Sequence, residues 1–268
     1  FYNKTTERGG DLKMSNQAIL YGLAFSDDGH AQACMGVATG DVNGDGLLDM
    51  FVANFYREPN CLYLQQPDGS FVDVSRAANL RRNSFSMLGF GAQFIDGESD
   101  GKLDLVVTNG HLTYERDIGV PYQMPPQYFQ NLGDAHFAEV TADSLGSFFD
   151  QPQLGRGLAL IDWNRDGRND FAVTFLDRQA ALVTNQTENV GHFLALHFRG
   201  TTCDRDAIGT RVIVSAGDTT REIQLVAGDG YQVSSQRQLL IGLGQCDRVE
   251  RLEVIWPDGE QQSWHDMT

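Results

Sequence analysis

The amino-acid sequence predicts an all-β fold in two parts: β-propeller blades that form part of a propeller, followed by a small antiparallel β-sandwich. A unit of short apolar strands and tight turns recurs through residues 1–190, and its apolar residues alternate with a period of two. Residues 191–268 lack this unit and contain β-branched strands separated by Gly and Asp turns. We therefore expect two domains with a boundary near residue 190.

The composition is that of a globular protein with an acidic surface. Of 268 residues, 41% are apolar, and 20 basic residues against 36 acidic ones give a net charge of −16. This charge argues against nucleic acid and against anionic membranes as partners. No apolar run approaches the roughly 18 to 20 residues that cross a bilayer, so we expect no membrane insertion.

The strongest signal is a segment that occurs three times, at Gly36–Asn54, Gly91–Asn109 and Gly157–Phe175. In each copy a Gly stands five residues before the Asp that begins a nine-residue acidic loop. Carboxylate or amide residues occupy loop positions one, three, five and nine, and Gly occupies position six. An apolar strand leads into each loop and another leaves it. The sequence therefore predicts that each acidic loop is a hairpin between two antiparallel strands.

A second piece of the unit also recurs, because Cys61–Leu80 resembles Tyr128–Leu145. Each piece is a strand, a Gly/Asp turn and another strand, so a complete unit has four short strands. Four-stranded units stacked around an axis are propeller blades, and a closed propeller needs at least about four of them. The opening segment, residues 1–9, resembles the third strand of an earlier unit. We therefore expect an N-terminally truncated propeller that preceding residues or self-association would complete.

The acidic loops combine oxygen donors in a pattern that suits a metal ion. On a hairpin, the side chains of positions one, three, five and nine and the carbonyl of position seven can converge, while the Gly at position six lets the loop curl. Carboxylate, amide and carbonyl oxygens together favour Ca²⁺. The predicted ligands are Asp41, Asn43, Asp45, Leu47 and Asp49; Asp96, Glu98, Asp100, Lys102 and Asp104; and Asp162, Asn164, Asp166, Arg168 and Asp170, with Leu47, Lys102 and Arg168 contributing backbone carbonyls.

For a single loop, the alternative is an acidic hairpin turn that holds no metal. Agreement of three loops at five positions favours three calcium sites, and so do ten acidic side chains at ligand positions, which would repel one another without cations. The second loop departs from the pattern, because Glu98 stands where the other two loops have Asn. We expect calcium at such fixed sites to stabilise the blades rather than to signal.

The last part of the chain has six or seven predicted strands within residues 192–264, which indicates an antiparallel sandwich or a small barrel. Four cysteines show no zinc-type spacing, and their even number favours two disulfides in an oxidising compartment. The expected pairs are Cys34–Cys61 and Cys203–Cys246. The alternative is four buried, reduced thiols.

Short motifs stand out in both parts of the chain: DxNxDGxxD at Asp41–Asp49 and Asp162–Asp170, TNGH at Thr108–His111, DAIGTRV at Asp206–Val212, GDGY at Gly228–Tyr231, GLG at Gly242–Gly244 and EVIWPDG at Glu253–Gly259. Together they resemble the cartilage acidic protein family, in which FG-GAP/VCBS-type propeller repeats precede an ASPIC/UnbV domain. The resemblance covers nearly the whole chain. It implies a secreted or cell-surface calcium-binding protein with an interaction role, so the expected location is extracellular, periplasmic or at the cell surface.

The sequence contains no recognisable catalytic constellation. Six histidines form no metal or acid–base spacing, and there is no GxSxG elbow and no GxGxxG leading into a helix. We therefore expect an extracellular interaction or adhesion module, not an enzyme, with a protein or glycan ligand. The alternatives are a propeller enzyme acting on polysaccharide or another polymer, and a structural subunit of a surface assembly. The expected binding surface is formed by loops 57–60 and 111–127, although the second could equally be a variable spacer.

Overall fold

The computed structural model describes residues 1–7, 9–114 and 119–268. In these ranges the protein consists of antiparallel strands in six sheets, and its three helices are single turns of four residues. The prediction of an all-β fold is confirmed. None of the described helices has the length and the apolar character needed to cross a membrane.

The chain begins with a small ladder in which β1 (Tyr2–Asn3) pairs with β2 (Met14–Ser15). Within the described residues β1 pairs with β2 and joins no four-stranded sheet, so the resemblance of this segment to the third strand of a blade stays a prediction. A local hydrogen bond from the N–H of Lys4 to the carbonyl of Lys13, at 2.7 Å, closes the loop between the two strands. The opening segment is therefore a hairpin of its own.

The first acidic repeat forms a four-stranded sheet, blade 1. Its strands lie in the order β3 (Cys34–Gly40), β4 (Asp49–Asn54), β5 (Cys61–Gln65) and β6 (Phe71–Asp73). Gly40 pairs with Asp49 across the first two strands. The acidic loop of blade 1 is therefore the hairpin that the repeat predicts.

The same arrangement recurs in blades 2 and 3. Helix α1 (Arg81–Ser84) precedes blade 2, which contains β7 (Gly89–Ile95), β8 (Asp104–Asn109), β9 (Gln127–Asn131) and β10 (Phe137–Glu139). Helices α2 (Ala142–Leu145) and α3 (Ser147–Asp150) precede blade 3, which contains β11 (Gly155–Ile161), β12 (Asp170–Phe175) and β13 (Ala181–Val183). Both acidic loops again connect the first two strands. Blade 3 differs from the predicted four-stranded unit, because it has three strands.

The repeat glycine that precedes each acidic loop lets the first strands of neighbouring blades approach closely. A Cβ at Gly36 of β3 would overlap the carbonyl oxygen of Phe90 in β7, and a Cβ at Gly91 would overlap the carbonyl oxygen of Arg156 in β11. Apolar side chains fill the space behind these contacts. The core between blades 1 and 2 includes Phe51, Leu62, Phe94, Leu105 and Phe129, and that between blades 2 and 3 includes Val106, Phe149, Leu158 and Phe171.

The corresponding side of blade 3 is covered by a segment from the C-terminal part of the chain. A Cβ at Gly157 would lie 2.5 Å from a methyl group of Val233 and 3.3 Å from the carbonyl oxygen of Tyr231. Gly230, in the same segment, exchanges backbone hydrogen bonds with Val37 of β3. The segment therefore reaches from the first strand of blade 3 to the first strand of blade 1.

The C-terminal part forms two antiparallel sheets around a shared apolar core. Its strands are β14 (His192–Leu196), β15 (Arg211–Ala216), β16 (Thr219–Gln224), β17 (Leu239–Gly244), β18 (Val249–Ile255) and β19 (Gln261–Met267). One sheet is β14–β17 and the other has the order β16–β15–β18–β19. The core between them includes Val212, Val214, Ile241, Leu243, Leu252 and Val254. The predicted sandwich is therefore observed, and the boundary near residue 190 stays a prediction.

The four cysteines are free thiols, so the predicted disulfides are not formed. Cys34 lies on β3 and Cys61 on β5, with β4 between them. Two strand spacings separate their backbones by about 10 Å, which exceeds the Cα distance that a disulfide spans. The Cys203 thiol lies 3.7 Å from the carbonyl of Asp204 in its own loop, and Cys246 packs on the sandwich core.

Candidate metal centres

The Asp at position one organises each acidic loop. The carboxylate of Asp41 accepts hydrogen bonds from the backbone N–H groups of positions four, five and six at 2.8, 3.1 and 2.8 Å. Asp96 accepts from positions five and six at 3.0 and 2.9 Å, and Asp162 accepts from the same positions at 3.1 and 3.2 Å. The Gly at position six has φ of +83°, +82° and +81° in the three loops. This left-handed conformation, which glycine adopts readily, curls each loop around the carboxylate of position one.

The Asp at position nine joins each hairpin to the rest of its blade. Asp49, Asp104 and Asp170 are each at most 2% exposed. Asp49 and Asp104 accept from the N–H group of the last residue of the third strand, at 3.0 and 2.7 Å. Asp170 accepts from the N–H group of Asn185, which follows β13, at 2.7 Å. These hydrogen bonds fix the start of each second strand against the third.

Positions three, five and seven form a second set of contacts within each loop. The amide of Asn43 donates to the carboxylate of Asp45 at 2.9 Å, and Asn164 donates to Asp166 at the same distance. The carboxylate of position five accepts the N–H group of position seven in all three loops, at 2.8, 2.8 and 3.0 Å. The residues at position seven are Leu47, Lys102 and Arg168, whose carbonyls the sequence predicts as ligands.

The loop of blade 2 has contacts that the other two lack. Glu98 replaces the amide and accepts a hydrogen bond from the side chain of Gln130 at 2.8 Å. The hydroxyl of Tyr128 donates to the carboxylate of Asp104 at 2.6 Å. The ion pair of Lys102 with Asp100 at 2.6 Å, in contrast, has a counterpart in loop 3, where Arg168 pairs with Asp166 at 2.7 Å. The side chain of Glu98, which is longer than the Asn of the other two loops, thus contacts the third strand of its own blade.

Burial opposes the ionised form of several of these carboxyl groups. It raises the pKa of Asp49 and of Asp96 to about 6, and it raises the pKa of Asp170 as well. Burial raises the pKa of Asp104 further, to about 8, and the nearby carboxyl group of Glu98 acts in the same direction. A nearby cation would reverse these shifts by favouring the charged forms.

The predicted side-chain ligands of each site lie in one hairpin, but they are not arranged as a metal coordination sphere. Within ranges 1–7, 9–114 and 119–268, no group of three or more His, Cys, Asp or Glu side chains is close enough together to hold a metal ion. Their oxygens instead accept the N–H groups of the loops. The donor set itself fits a hard cation, because it consists of carboxylate, amide and carbonyl oxygens on a tightly curled backbone.

A cavity of about 430 Å³ is lined both by residues of the acidic loops and by residues of the C-terminal part. The first Asp of every loop lies in its wall, and Arg221 and Arg237 of the C-terminal part lie in the wall as well. All three acidic loops therefore face the C-terminal part at one end of the blades.

The predicted binding surface lies at the other end of the blades. The rings of Tyr56 and His111 meet at 6.0 Å, so the loops that follow β4 and β8 are in contact. Phe85, whose carbonyl accepts the N–H group of Arg57 at 3.0 Å, is 50% exposed, and Tyr114 is 61% exposed. Residues 115–118 of the predicted surface lie outside the described ranges. Whether these loops bind a ligand stays a prediction.

The sequence interpretation missed Arg156, a buried cation at this end. Its guanidinium donates to the carbonyls of Gly110, His111 and Gly155 at 3.1, 2.9 and 2.7 Å and lies 3.8 Å over the ring of Phe90. Burial lowers the pKa of Arg156. The sequence feature that could have pointed to Arg156 is its position between two glycines at the start of a predicted strand. Arg156 ties the loop after β8 to blade 3.

Comparisons with known proteins support the architecture. An FG-GAP-like repeat model matches residues 41–107, which contain the first two acidic loops, and an ASPIC and UnbV model matches residues 200–268. The first match runs from the acidic loop of blade 1 into β8 of blade 2, and the second covers most of the sandwich.

Curated relatives agree with both matches. The chain is 24% identical to cartilage acidic protein 1 of Xenopus tropicalis over 94% of this chain and 45% of that protein. It is 23% identical to the Homo sapiens protein of the same name over 85% of this chain and 41% of that protein. The predicted resemblance to the cartilage acidic protein family is confirmed. The chain spans less than half the length of these relatives.

A comparison of structures found Bacillus licheniformis Rhamnogalacturonan Lyase PL11. It is 14% identical, with a TM-score of 0.31, and the match covers 87% of this chain and 48% of that one.

Proposed function

We propose that the chain is an extracellular interaction module whose FG-GAP-like blades are stabilised by three calcium ions. The observation that carries this proposal is the repetition of one loop structure in three blades. In each loop the carboxylate at position one accepts the N–H groups of positions five and six, the Gly at position six is left-handed and the Asp at position nine is buried. Unrelated acidic turns would not be expected to share all three features.

The charge distribution supports the same proposal. Among the ion pairs of the described residues, none involves Asp49, Asp96 or Asp104, although all three are buried. A buried carboxylate without a cation carries an uncompensated desolvation cost. Calcium would supply the missing positive charge. The side chains of positions one, three, five and nine and the carbonyl of position seven would hold it in each loop.

Calcium removal tests the proposal directly. We expect the melting temperature of the chain in excess calcium to be higher than in EDTA, because each site filled at 100 times its Kd contributes about 2.7 kcal/mol. Equilibrium dialysis with radioactive calcium should count three bound ions. Magnesium at the same concentration is the control for ionic strength. A melting temperature that is the same in EDTA and in calcium would refute structural calcium.

We further propose that the face opposite the acidic loops binds a protein or glycan ligand without catalysis. The contact between the loops after β4 and β8 and the exposure of Tyr114 support this assignment. The test is binding of the fluorescently labelled chain to glycan arrays and to cell surfaces. Tyr114→Ala should weaken binding, whereas Trp264→Ala, a change of another exposed aromatic residue in β19, should not. Equal binding by both variants and the unmodified chain would exclude this face.

A further inference from the structure

Four successive carbonyl groups of the blade 2 acidic loop are held by donors from later in the chain. The carbonyl of Gly97 accepts the side-chain amide of Asn185 at 2.9 Å. The next two carbonyls, of Glu98 and Ser99, accept the backbone N–H groups of Gly191 and Gly244 at 2.8 and 2.9 Å. The carbonyl of Asp100 accepts the guanidinium of Arg221 at 3.1 Å. The backbone of this loop is therefore fixed from outside its own blade.

The contact is also close in steric terms. A Cβ at Gly242 of β17 would overlap a carboxylate oxygen of Asp96, the residue at position one of the loop. A Cβ at Gly101, position six, would overlap the guanidinium of Arg221. Ser99 is only 4% exposed. There is therefore no room for the C-terminal sheets to shift against this loop without disturbing positions one and six.

The contact at position two is shared with loop 1, because the carbonyl of Val42 accepts the side-chain amide of Asn131 of the next blade at 2.9 Å. The difference lies at positions three to five: among the described hydrogen bonds, none joins a carbonyl at these positions of loops 1 and 3 to a donor of the C-terminal part. Loop 1 comes near the sandwich at Gly46, where a Cβ would lie 3.9 Å from that of Glu222. Loop 3 meets the ring of Phe193 at Gly167 and the side chain of Gln236 at Asp162. Neither contact of loop 3 involves a carbonyl at positions two to five.

We propose that the second acidic loop is a shared site, in which cation binding and docking of the C-terminal sheets are coupled. This inference rests on the proposed calcium sites and goes further, because it separates one site from the other two. Docking orders the backbone of positions three to five, which lies between the predicted ligands at positions one and seven, so it raises the calcium affinity of loop 2. By linkage, calcium in loop 2 stabilises docking by the same factor. Calcium in loops 1 and 3, whose carbonyls at positions three to five accept no donor of the C-terminal part among the described hydrogen bonds, stabilises mainly its own blade.

A matched set of substitutions at position five tests the coupling. Asp45→Asn, Asp100→Asn and Asp166→Asn each remove one carboxylate from one loop. Hydrogen exchange of the amides in β15 and β17 is measured in saturating calcium and in EDTA. We expect calcium to slow exchange in these strands in the unmodified chain, in Asp45→Asn and in Asp166→Asn. The calcium-dependent protection should be lost in Asp100→Asn.

The reverse direction is tested from the C-terminal sheets with an uncharged change. Gly242→Ala should lower the calcium affinity of one of the three sites about tenfold, within the usual 5-fold to 150-fold range of coupling between sites. Gly228→Ala, where the nearest atom to a Cβ is 3.7 Å away, is the control. Calorimetric titration with calcium measures all three affinities.

The two proposals fail in different ways. An unmodified chain that binds no calcium would refute the calcium sites and the coupling with them. Three bound ions, with equal loss of β15 and β17 protection in Asp45→Asn and Asp100→Asn, would refute the coupling and leave the calcium sites standing. A folded Gly242→Ala chain whose three calcium affinities are unchanged would also refute the coupling and leave the calcium sites standing.

Discussion

The acidic loops of blades 1 and 2 have the same spacing, and in both the Asp at position one accepts the N–H groups of positions five and six, and yet their surroundings differ. In loop 1, Gly44 and Asp45 are exposed, the Asp41 carboxylate holds the loop, and the carbonyl of Val42 accepts one donor from the next blade. In loop 2, Ser99 is buried, and four successive carbonyls are held from outside the blade. A local motif thus determines the curl of the loop, whereas its neighbours determine whether it is a free turn or part of an interface.

The largest difference between the two loops should appear at position six. Gly46→Ala should cost about 1–2 kcal/mol, because the left-handed backbone disfavours a side chain. Gly101→Ala has the same backbone cost and also displaces Arg221, whose charged hydrogen bond contributes about 1.5–3 kcal/mol. We therefore expect a loss of about 2.5–5 kcal/mol of stability for Gly101→Ala, measured by urea denaturation in saturating calcium. Gly44→Ala, also left-handed and with open space around its Cβ, controls for the backbone term. Equal losses at Gly46 and Gly101 would break the comparison.

A smaller difference should appear in the pH dependence of stability in EDTA. The folded-state pKa is about 6 for Asp49 and about 8 for Asp104, above an unfolded value near 3.9. The folded chain therefore keeps protons that the unfolded chain has lost, and stability falls as pH rises, up to about pH 6 for Asp49 and about pH 8 for Asp104. The slope should be at most about 1.4 kcal/mol per pH unit for each group.

The matching substitutions separate the two loops within this experiment. Asp104→Asn should remove most of the decrease in the free energy of unfolding between pH 6 and 8. Asp49→Asn should leave the decrease in this pH range unchanged. Urea denaturation at half-unit pH intervals measures both. A slope between pH 6 and 8 that persists in Asp104→Asn would show that another group titrates there.

The smallest effect should come from the ion pair on the exposed side of loop 2. The side chains of Lys102 and Asp100 are 49% and 39% exposed, so solvent screens their attraction. Lys102→Leu, which gives loop 2 the residue of loop 1, should change stability by less than about 0.5 kcal/mol. Leu47→Lys is the reciprocal control. A loss above 1 kcal/mol from Lys102→Leu would mean that this pair helps to hold the loop.

The hairpins and the acidic loops could be predicted from the sequence because their determinants are local. The Asp at position one, the Gly at position six and the Asp at position nine lie within nine residues, and each fixes the backbone beside it. The repeat glycines could be found by alignment, although their role became clear only when Gly36 was seen against Phe90.

The contacts between the C-terminal part and loop 2 could not be predicted. Two of the four donors are backbone N–H groups, of Gly191 and Gly244, and a backbone donor leaves no pattern of side chains to recognise. The disulfide prediction was wrong for a related reason. An even number of cysteines suggests pairs, but β4 lies between Cys34 and Cys61, and the spacing of cysteines in the sequence does not reveal the order of strands in a sheet.

The segment that covers blade 3 has a consequence for association between copies of the chain. Strand β11 would otherwise present an open edge, and here the carbonyl and N–H groups of Leu160 bond to Gln236 and Ser235, next to the contact of Val233 with Gly157. A strand from another molecule would have to compete with a segment that is covalently part of the same chain and therefore always close to β11. The segment thus blocks edge-to-edge pairing at β11, which is a common route to aggregation of β proteins.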